Sequence, residues 1–322
     1  MGYQNLSQCL TALESRGELV RITQEVDPAL EIGAIQRRVC QAQGPALLFT
    51  NVKGCGFPMA GNIFGTLQRT RFIFRDTLKT IEHLVKLKVD PIEPLKRPWK
   101  FAGMPKALWN IIPRKVSTGP ILAKQTTVTS LPQLKSWPQD GGGYITLPQV
   151  YTESIEKPGF ALSNLGMYRV QLSGGQYKPD KEVGLHYQIH RGIGYHHAQA
   201  IQADVPLKVN VFVGGPPAMT IAAIMPLPEG LPEISFAGVL AGHRINMISA
   251  PNGLPILAEA DFCLTGFIDP ERQLPEGPFG DHLGYYSLTH DFPVLKVEKV
   301  YHRENAVWPF TTASASVISR VT

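Results

Sequence analysis

The sequence predicts an α+β protein: a small N-terminal α/β unit followed by a mostly antiparallel β domain, either a barrel or a sandwich. Three observations support this fold class. Apolar residues recur at helical spacing near the N-terminus, whereas short β-branched and aromatic runs fill the rest of the chain. The 30 glycines and 27 prolines supply many turn-forming residues, which favours short strands over a helical bundle.

Residues 1–115 are predicted to form the α/β unit and to run into a proline-rich linker. Asp27 and Pro28 provide the N-cap and the first position of its second helix. The predicted elements are a helix carrying Leu6, Leu10 and Leu13 that Gly17 ends, a strand Leu19–Ile22, a helix carrying Ile32, Ile35 and Val39, a strand Ala46–Val52 and a helix Thr70–Asp90. Six prolines between positions 91 and 120 indicate the linker.

Residues 116–312 are predicted to form the β domain. Short β-branched or aromatic runs recur there between turn residues, which is the pattern of strands. These runs are Gln125–Ser130, Tyr144–Thr152, Arg169–Leu172, Leu207–Val213, Met219–Met225, Arg244–Ser249 and Val294–Tyr301.

Composition excludes several classes of protein. With 43% hydrophobic and 18% charged residues, the chain can bury real cores and is not intrinsically disordered. The net charge of +5 comes without a dense basic stripe, which argues against nucleic-acid binding. Four scattered cysteines argue against a disulfide framework or a structural zinc site. No secretion signal or membrane-spanning stretch is visible, so we expect a cytoplasmic protein without a membrane span.

Three stretches carry polar residues where a structural strand would be apolar, at 163–169, 186–192 and 275–282. In the third, Glu276 and Asp281 flank the tight turn Gly-Pro-Phe-Gly, so their carboxylates can converge on one pocket. One of them, partly desolvated, would keep its proton near neutral pH and act as a general acid. A nearby arginine would keep the other ionised. The alternative interpretation is an ordinary surface turn.

His186 and His190 stand four residues apart, a spacing that would put them on one helix face as metal ligands. Tyr187 follows His186, so the HExxH pattern of metalloproteases is missing. Two interpretations stay open from spacing alone: a polar helix end with satisfied imidazoles, or a metal site such as that of a hydrolase.

Taken together and in this order, the motifs resemble the UbiD family of prenylated-flavin-dependent decarboxylases, in its aromatic-acid branch. The similar segments are GNIFGT at 61–66, LPQLKSWP at 131–138, GGYIT at 142–146, NLGMYR at 164–169, HRG at 190–192, MPLPEG at 225–230 and EGPFGDH at 276–282. The resemblance extends to about residue 312. It implies a split β-barrel flavin domain over 116–312 and a non-oxidative, reversible carboxy-lyase acting on an aromatic or α,β-unsaturated acid.

The resemblance also implies the groups that the site would hold: prenylated FMN, Mn²⁺ or Mg²⁺, and K⁺ as a further ion. The implied metal ligands are Asn164, His190 and Glu233. The implied cofactor-binding residues are Met167, Tyr168, Arg169, His186, Tyr187, Gln188, His190, Arg191, Gly192, Met225 and Pro226. The implied catalytic network is Arg169, Glu276 and Asp281, in which Asp281 protonates the carbon that loses CO₂.

Family members continue into a third domain that helps to assemble oligomers, and residues 313–322 do not resemble its beginning. We therefore expect a chain without that domain. Two functions stay open: an active decarboxylase, or a non-catalytic or incomplete flavin-binding subunit of a split enzyme. The implied partners are the acid, CO₂, a flavin prenyltransferase that supplies the cofactor, and further copies of the chain in an oligomer.

Overall fold

The computed structural model describes residues 2–89, 104–187, 192–227, 230–250, 252–281 and 285–312. Its helices are α1 (Leu6–Ser15), α2 (Glu31–Gln41), α3 (Leu67–Ile73), α4 (Leu78–Val89), α5 (Met104–Asn110), α6 (Gly192–Ala203), α7 (Pro217–Ala222) and α8 (Glu233–Ala241). Its strands are β1 (Leu19–Ile22), β2 (Ala46–Phe49), β3 (Met59–Gly61), β4 (Arg114–Val116), β5 (Lys124–Thr126), β6 (Tyr144–Ile145), β7 (Gln149–Glu153), β8 (Ser163–Gly166), β9 (Val170–Gln171), β10 (Glu182–Leu185), β11 (Leu207–Val213), β12 (Asn246–Ile248), β13 (Ile256–Leu257), β14 (Phe262–Glu276), β15 (His290–His302) and β16 (Trp308–Phe310).

The N-terminal part is a four-stranded sheet with helices packed on it, in the order β1-β2-β3-β16. Helix α1 starts where the sequence predicts, because Asn5 caps it: the Gln8 N–H donates to the Asn5 side chain at 3.0 Å. Its predicted apolar face, with Leu6, Leu10 and Leu13, is buried. The last strand of this sheet, β16, comes from the far end of the described chain and runs parallel to β3.

The β domain is a curled sheet in the order β6-β9-β10-β15-β14-β11-β7-β8, with β5 also paired to β15. The long strands β14 and β15 run antiparallel through its centre. Their pairing shifts register after Thr265 and after Ile268, and such bulges increase local bend and twist. A third sheet, β13-β12-β4, flanks it. The α+β class, with a small N-terminal part and a curled antiparallel half-barrel, is thereby confirmed.

Several local predictions are wrong. The predicted strand Met219–Met225 is instead helix α7 followed by a turn, because Gly214 and Gly215 turn the chain at φ values of 77° and 83° and Pro217 starts a helix. The predicted helix Thr70–Asp90 is two helices, α3 and α4. They separate where the Thr77 hydroxyl donates to the Leu240 carbonyl at 2.8 Å, a tertiary contact that no local pattern reveals.

The longest strand, β14, is absent from the strands that the sequence predicts. Its prolines, Pro270 and Pro275, are residues that normally mark turns. Pro270 lies in the interval where the ladder with β15 shifts register, between Ile268 and Gln273, so it interrupts no regular pairing there. The predicted division of the chain at residue 115 stays a prediction. Strand β16, however, belongs to the N-terminal sheet, and β4 pairs with β12.

No helix in the described ranges is long and apolar enough to cross a bilayer.

Trp308 of β16 is expected to contribute more than any other single residue to the packing between the N-terminal sheet and the curled sheet. It is fully buried, and its ring packs edge-on against Phe262 with centroids 4.9 Å apart. Trp308→Ala should lower the free energy of unfolding by about 3–5 kcal/mol, because it leaves a cavity. Denaturant unfolding measures this loss.

Trp109→Ala is the matched control, since Trp109 is 62% exposed and contacts the Arg244 guanidinium at 4.9 Å. Its cost should stay near or below about 1 kcal/mol. Equal losses in the two variants would show that β16 does not hold the sheets together.

Candidate active site

A cleft of about 1010 Å³ opens at one end of the curled sheet. The stretches that line it lie far apart in sequence: the end of β8 and the turn after it, the end of β10, the start of α6, the turn after α7, the start of α8 and the loop after β14. The predicted site residues that line it are Asn164, Met167, Tyr168, Arg169, His186, Tyr187, Gly192, Met225, Pro226, Glu233 and Asp281. Gln188, His190 and Arg191 lie outside the described residues.

Arg169 and Glu276 form a bidentate ion pair in the wall of the cleft. Arg169 Nε donates to Glu276 Oε1 at 2.9 Å, and Nη2 donates to Oε2 at 2.7 Å. The Glu276 side chain is fully buried, whereas that of Arg169 is 14% exposed. Nη2 also donates to the Ser287 hydroxyl at 3.0 Å, and the guanidinium lies 4.7 Å from the centre of the Phe279 ring. The pair therefore fixes the plane of the guanidinium.

His186 is a third member of this network, whereas the family resemblance implies only a cofactor contact for it. Its Nδ1 lies 3.0 Å from Glu276 Oε2, and its ring packs on Phe292 with centroids 4.0 Å apart. It follows β10 and lies outside any helix, so the helix-face interpretation of His186 and His190 does not apply. Its place opposite Glu276 depends on how β10, β15 and β14 pair, which local spacing does not reveal.

Glu276 is ionised despite its burial. Burial alone raises the pKa of a carboxyl group, but here the hydrogen bonds and charges of His186 and Arg169 outweigh it, and the pKa of Glu276 lies below its ordinary value. Glycine makes this packing possible: a Cβ on Gly184 would lie 2.1 Å from the Tyr177 hydroxyl and 3.3 Å from Glu276 Cγ.

Asp281 reaches the same cleft from the loop after β14. The chain turns at Gly277, whose φ is 100° and whose N–H donates to the Gln171 side chain at 2.9 Å. The Asp281 N–H donates to the Tyr285 carbonyl at 3.0 Å. Of the two acids that the sequence singles out, Asp281 thus lines the cleft, whereas Glu276 is buried behind Arg169, which lines it.

Asn164 and Glu233 mark a second part of the cleft. Glu233 begins α8 and accepts a hydrogen bond at 3.1 Å from the N–H of Leu165, the neighbour of Asn164. Burial raises the pKa of Glu233, partly offset by backbone hydrogen bonds. The side-chain nitrogen of Asn164 is buried without a partner among the described residues, and its oxygen accepts from the Tyr168 hydroxyl at 3.2 Å. Gly192 leaves space there, since a Cβ would lie 2.3 Å from the Asn164 oxygen.

This donor set fits a hard divalent cation. Carboxylate and amide oxygens are the ligands that Mg²⁺ and Mn²⁺ prefer, and a cation would offset the burial of Glu233. Within the described ranges, no three His, Cys, Asp or Glu side chains cluster as a metal site would require. Asn164 is not one of these residue types, and His190 lies outside these ranges.

Buried aromatic and imidazole groups support the cleft from behind. Tyr187 Oη lies 2.5 Å from His197 Nδ1, and the Tyr187 ring packs edge-on against that of Tyr168 at 6.1 Å. His196 Nδ1 contacts the Thr152 hydroxyl at 2.8 Å, and burial lowers its pKa to about 4. His196 is therefore neutral at physiological pH.

The class of protein follows from fold and site together: a small α/β unit joined to a curled antiparallel sheet that carries a buried Arg–Glu pair in a large cleft. Residues 10–88 match the N-terminal domain and residues 114–316 the Rift-related domain of 3-octaprenyl-4-hydroxybenzoate carboxy-lyase. The chain belongs to the UbiD family, which confirms the resemblance.

Relatives and solved structures agree with this assignment. The chain is 39% identical over 311 residues to a 4-hydroxybenzoate decarboxylase subunit of Chlamydia pneumoniae, covering 95% of this chain and 52% of that protein. The closed vanillic acid decarboxylase of Sedimentibacter hydroxybenzoicus matches with a TM-score of 0.82 and 25% identity, over 98% of this chain and 65% of that one.

A dimeric form of HmfF from Pelotomaculum thermopropionicum, in complex with prFMN, matches with a TM-score of 0.79 and 23% identity, over 97% of this chain and 68% of that one. This likeness concerns the fold. The chain spans about half the length of the curated relatives that it matches.

Replacing Glu276 by glutamine should destabilise the protein in a pH-dependent way. At pH 7 we expect the free energy of unfolding to fall by about 3–5 kcal/mol, because Arg169 loses its buried counter-charge. The native carboxylate contributes its full stabilisation above the ordinary pKa of 4.5 and loses it as the pH falls through the lower folded value. Denaturant unfolding of both proteins at several pH values should show the difference shrinking below that pH.

Glu182→Gln is the control, since Glu182 pairs with Arg272 at 2.7 Å in the same sheet, away from the cleft, and Arg272 is 34% exposed. The loss there should be smaller, because water can solvate Arg272. A Glu276→Gln loss that stays constant from pH 7 to strongly acid pH would contradict the assignment of a charged, buried Glu276.

Proposed function

We propose that this chain carries the cofactor-binding and catalytic part of a non-oxidative, reversible carboxy-lyase for an aromatic or α,β-unsaturated acid. The observation that carries the proposal is the buried Arg169–Glu276 pair, in a cleft that Asp281 also lines. A cleft of about 1010 Å³ has room for a flavin-sized ligand. The 4-hydroxybenzoate and vanillic acid decarboxylases among the similar proteins support an aromatic substrate.

Prenylated FMN is the proposed cofactor, and when bound it supplies the electrophile and the electron sink of the reaction. Met167 and Tyr168, on the turn after β8, and Met225 and Pro226, on the turn after α7, would hold it between them. The two turns are tied together, since the Met167 N–H donates to the Ala223 carbonyl at 3.0 Å. His186, Tyr187 and Gly192 line the same space.

Arg169 would bind the carboxylate of the acid. Nε and Nη2 are engaged with Glu276, and no described residue accepts a hydrogen bond from Nη1. A cation held rigidly orients a carboxylate without having to order itself first. Glu276, kept ionised, would fix this orientation and offset the positive charge once CO₂ has left.

Asp281 would provide the proton. In the net reaction the bond between the ring carbon and the carboxylate carbon breaks, CO₂ leaves, and the electron pair on the ring carbon takes the proton of the Asp281 carboxyl group. Solvent then returns a proton to Asp281. The reverse sequence, at high CO₂, is carboxylation, because each step can run backwards.

Asn164, His190 and Glu233 would hold Mn²⁺ or Mg²⁺ beside the cofactor phosphate, with K⁺ as a further ion. The Asn164 oxygen and the buried Glu233 carboxyl group, which lie in the same part of the cleft, support this proposal. We further propose a cytoplasmic enzyme that assembles into an oligomer and receives its cofactor from a flavin prenyltransferase.

A second function, a flavin-binding subunit that is inactive by itself, has its own support. The chain spans about half of its curated relatives, and the name of one of them describes a single subunit of a decarboxylase. The two functions differ in what the chain does after it has bound the cofactor.

Co-expression with a flavin prenyltransferase separates them. We expect the purified chain to carry prenylated FMN, recognised by mass and absorption spectrum, and to release CO₂ from hydroxybenzoic acids. Cofactor binding without CO₂ release would establish the subunit function if adding the part of a full-length relative that this chain does not match then produced CO₂ release. Tight zinc with no flavin would refute both.

Asp281→Asn should separate cofactor binding from turnover. The amide keeps the size of the side chain but cannot donate the proton, so CO₂ release should fall roughly a hundredfold or more. Bound cofactor, measured by absorption, should stay equal to that of the unaltered protein. An unchanged rate in this variant would remove Asp281 from the mechanism.

A further inference from the structure

A buried acid outside the predicted site holds the loop that carries Asp281. Asp140 is 3% exposed, and both of its oxygens accept hydrogen bonds from backbone N–H groups. Oδ2 accepts from Ser136 at 3.0 Å and from Trp137 at 2.9 Å, while Oδ1 accepts from Gly280 at 2.8 Å. Gly280 directly precedes Asp281, so this carboxylate ties the segment 136–140 to the backbone beside the proposed proton donor.

Close packing reinforces the tie. Gly280 lies directly on the Trp137 ring, because a Cβ there would come within 2.2 Å of Trp137 Cδ1. The Trp137 ring also packs against Arg37 of α2, whose guanidinium lies 3.9 Å from the ring centre and donates to the Ser136 carbonyl at 2.9 Å. The loop thus packs on Trp137, and Trp137 in turn packs on Arg37 in the N-terminal part of the chain.

Two more contacts bind the start of the same loop. The Gly141 N–H donates to the Pro278 carbonyl at 2.8 Å, and the Tyr144 hydroxyl donates to it at 3.2 Å. These contacts fix Pro278, three residues before Asp281. The hydrogen bond from Gly280 to Asp140 is the one next to Asp281, and Asp140 takes no part in the proposed catalytic steps.

We propose that Asp140 is a positioning residue that sets where the Asp281 carboxyl group stands in the cleft. The inference rests on the proposed function, because Asp281 is the proton donor only there. An asparagine cannot replace Asp140: it has one acceptor oxygen, so either Gly280 or the Ser136 and Trp137 pair loses its hydrogen bond. The loop, with Phe279 and Asp281, would then be released, while the cleft residues on the other elements keep their positions.

The first test needs no cofactor. Hydrogen–deuterium exchange of the purified chain, read by mass spectrometry, should show peptides covering 277–281 exchanging about tenfold faster in Asp140→Asn, the effect of losing one buried hydrogen bond. Asp261→Asn is the matched control: Asp261 is also fully buried and accepts from the N–H groups of Gly215 at 2.8 Å and Val307 at 3.1 Å. It should leave peptides 277–281 unchanged.

The second test uses the cofactor-loaded protein and separates two half-reactions. Exchange of labelled CO₂ into the acid requires the carbon–carbon bond to break and re-form. Exchange of the product's ring hydrogen in D₂O requires that carbon–hydrogen bond to break, Asp281 to take the proton, and a deuteron to return. We expect Asp140→Asn to slow hydrogen exchange at least tenfold and CO₂ exchange less than threefold, on the scale of losing one buried hydrogen bond. A variant that is merely less stable would slow both equally, as we expect for Asp261→Asn.

Gly280→Ala provides a second variant if Asp140→Asn does not fold, because its methyl group would push the loop off Trp137. Gly280→Ala should likewise slow exchange of the product's ring hydrogen more than exchange of labelled CO₂. If hydrogen–deuterium exchange of peptides 277–281 is unchanged in Asp140→Asn, Asp140 does not hold the loop. If both half-reactions slow equally, Asp140 is not a positioning residue for Asp281. A chain that binds the cofactor without turnover would contradict the proposed activity, and the first test would still decide about the anchor.

Discussion

The site depends on keeping one carboxylate charged where water cannot reach it. A fully buried Glu276 stays ionised only because Arg169 and His186 surround it. These residues lie at the ends of β9, β10 and β14, which are joined through β15 in one sheet. The need to neutralise this charge therefore links strand order to site geometry: a change in pairing among these strands would separate the three groups and leave a bare charge inside the protein.

The sequence is a good guide where apolar spacing decides the structure, but its capping prediction for the second helix is wrong: α2 begins at Glu31 rather than at Pro28 after Asp27. Helix α1 carries the predicted apolar face of Leu6, Leu10 and Leu13, and strand β1 is observed at its predicted limits, Leu19–Ile22. Prediction from the sequence fails where contacts between residues far apart in the chain determine the structure. Strand β14 contains Pro270, which lies where its pairing with β15 shifts register, and α7 is an apolar run that the sequence alone does not distinguish from a buried strand.

The same contrast between local patterns and distant contacts applies to the residues of the site. Sequence motifs single out Glu276 and Asp281, and the family resemblance adds Arg169, because the motifs carry these residues in a recognisable order. His186 as a partner of Glu276, and Ser287 as a partner of Arg169, follow only from the sheet register. Asp140 carries no signal of its own, since one buried acid looks like another until the N–H groups that it accepts from are known.

Strand β16 completes the N-terminal sheet, and it can pair with β3 only late in synthesis. Strand β3 ends at Gly61, and its outer neighbour begins only at Trp308, nearly 250 residues later. At about 5–20 residues per second, a ribosome needs roughly 12–50 s to make that stretch. Throughout this time the edge of β3 has no neighbour, beside the wholly buried β2, and such an edge is a template for unwanted association. The nascent chain is thus most exposed to misassembly while its latter half is still being translated.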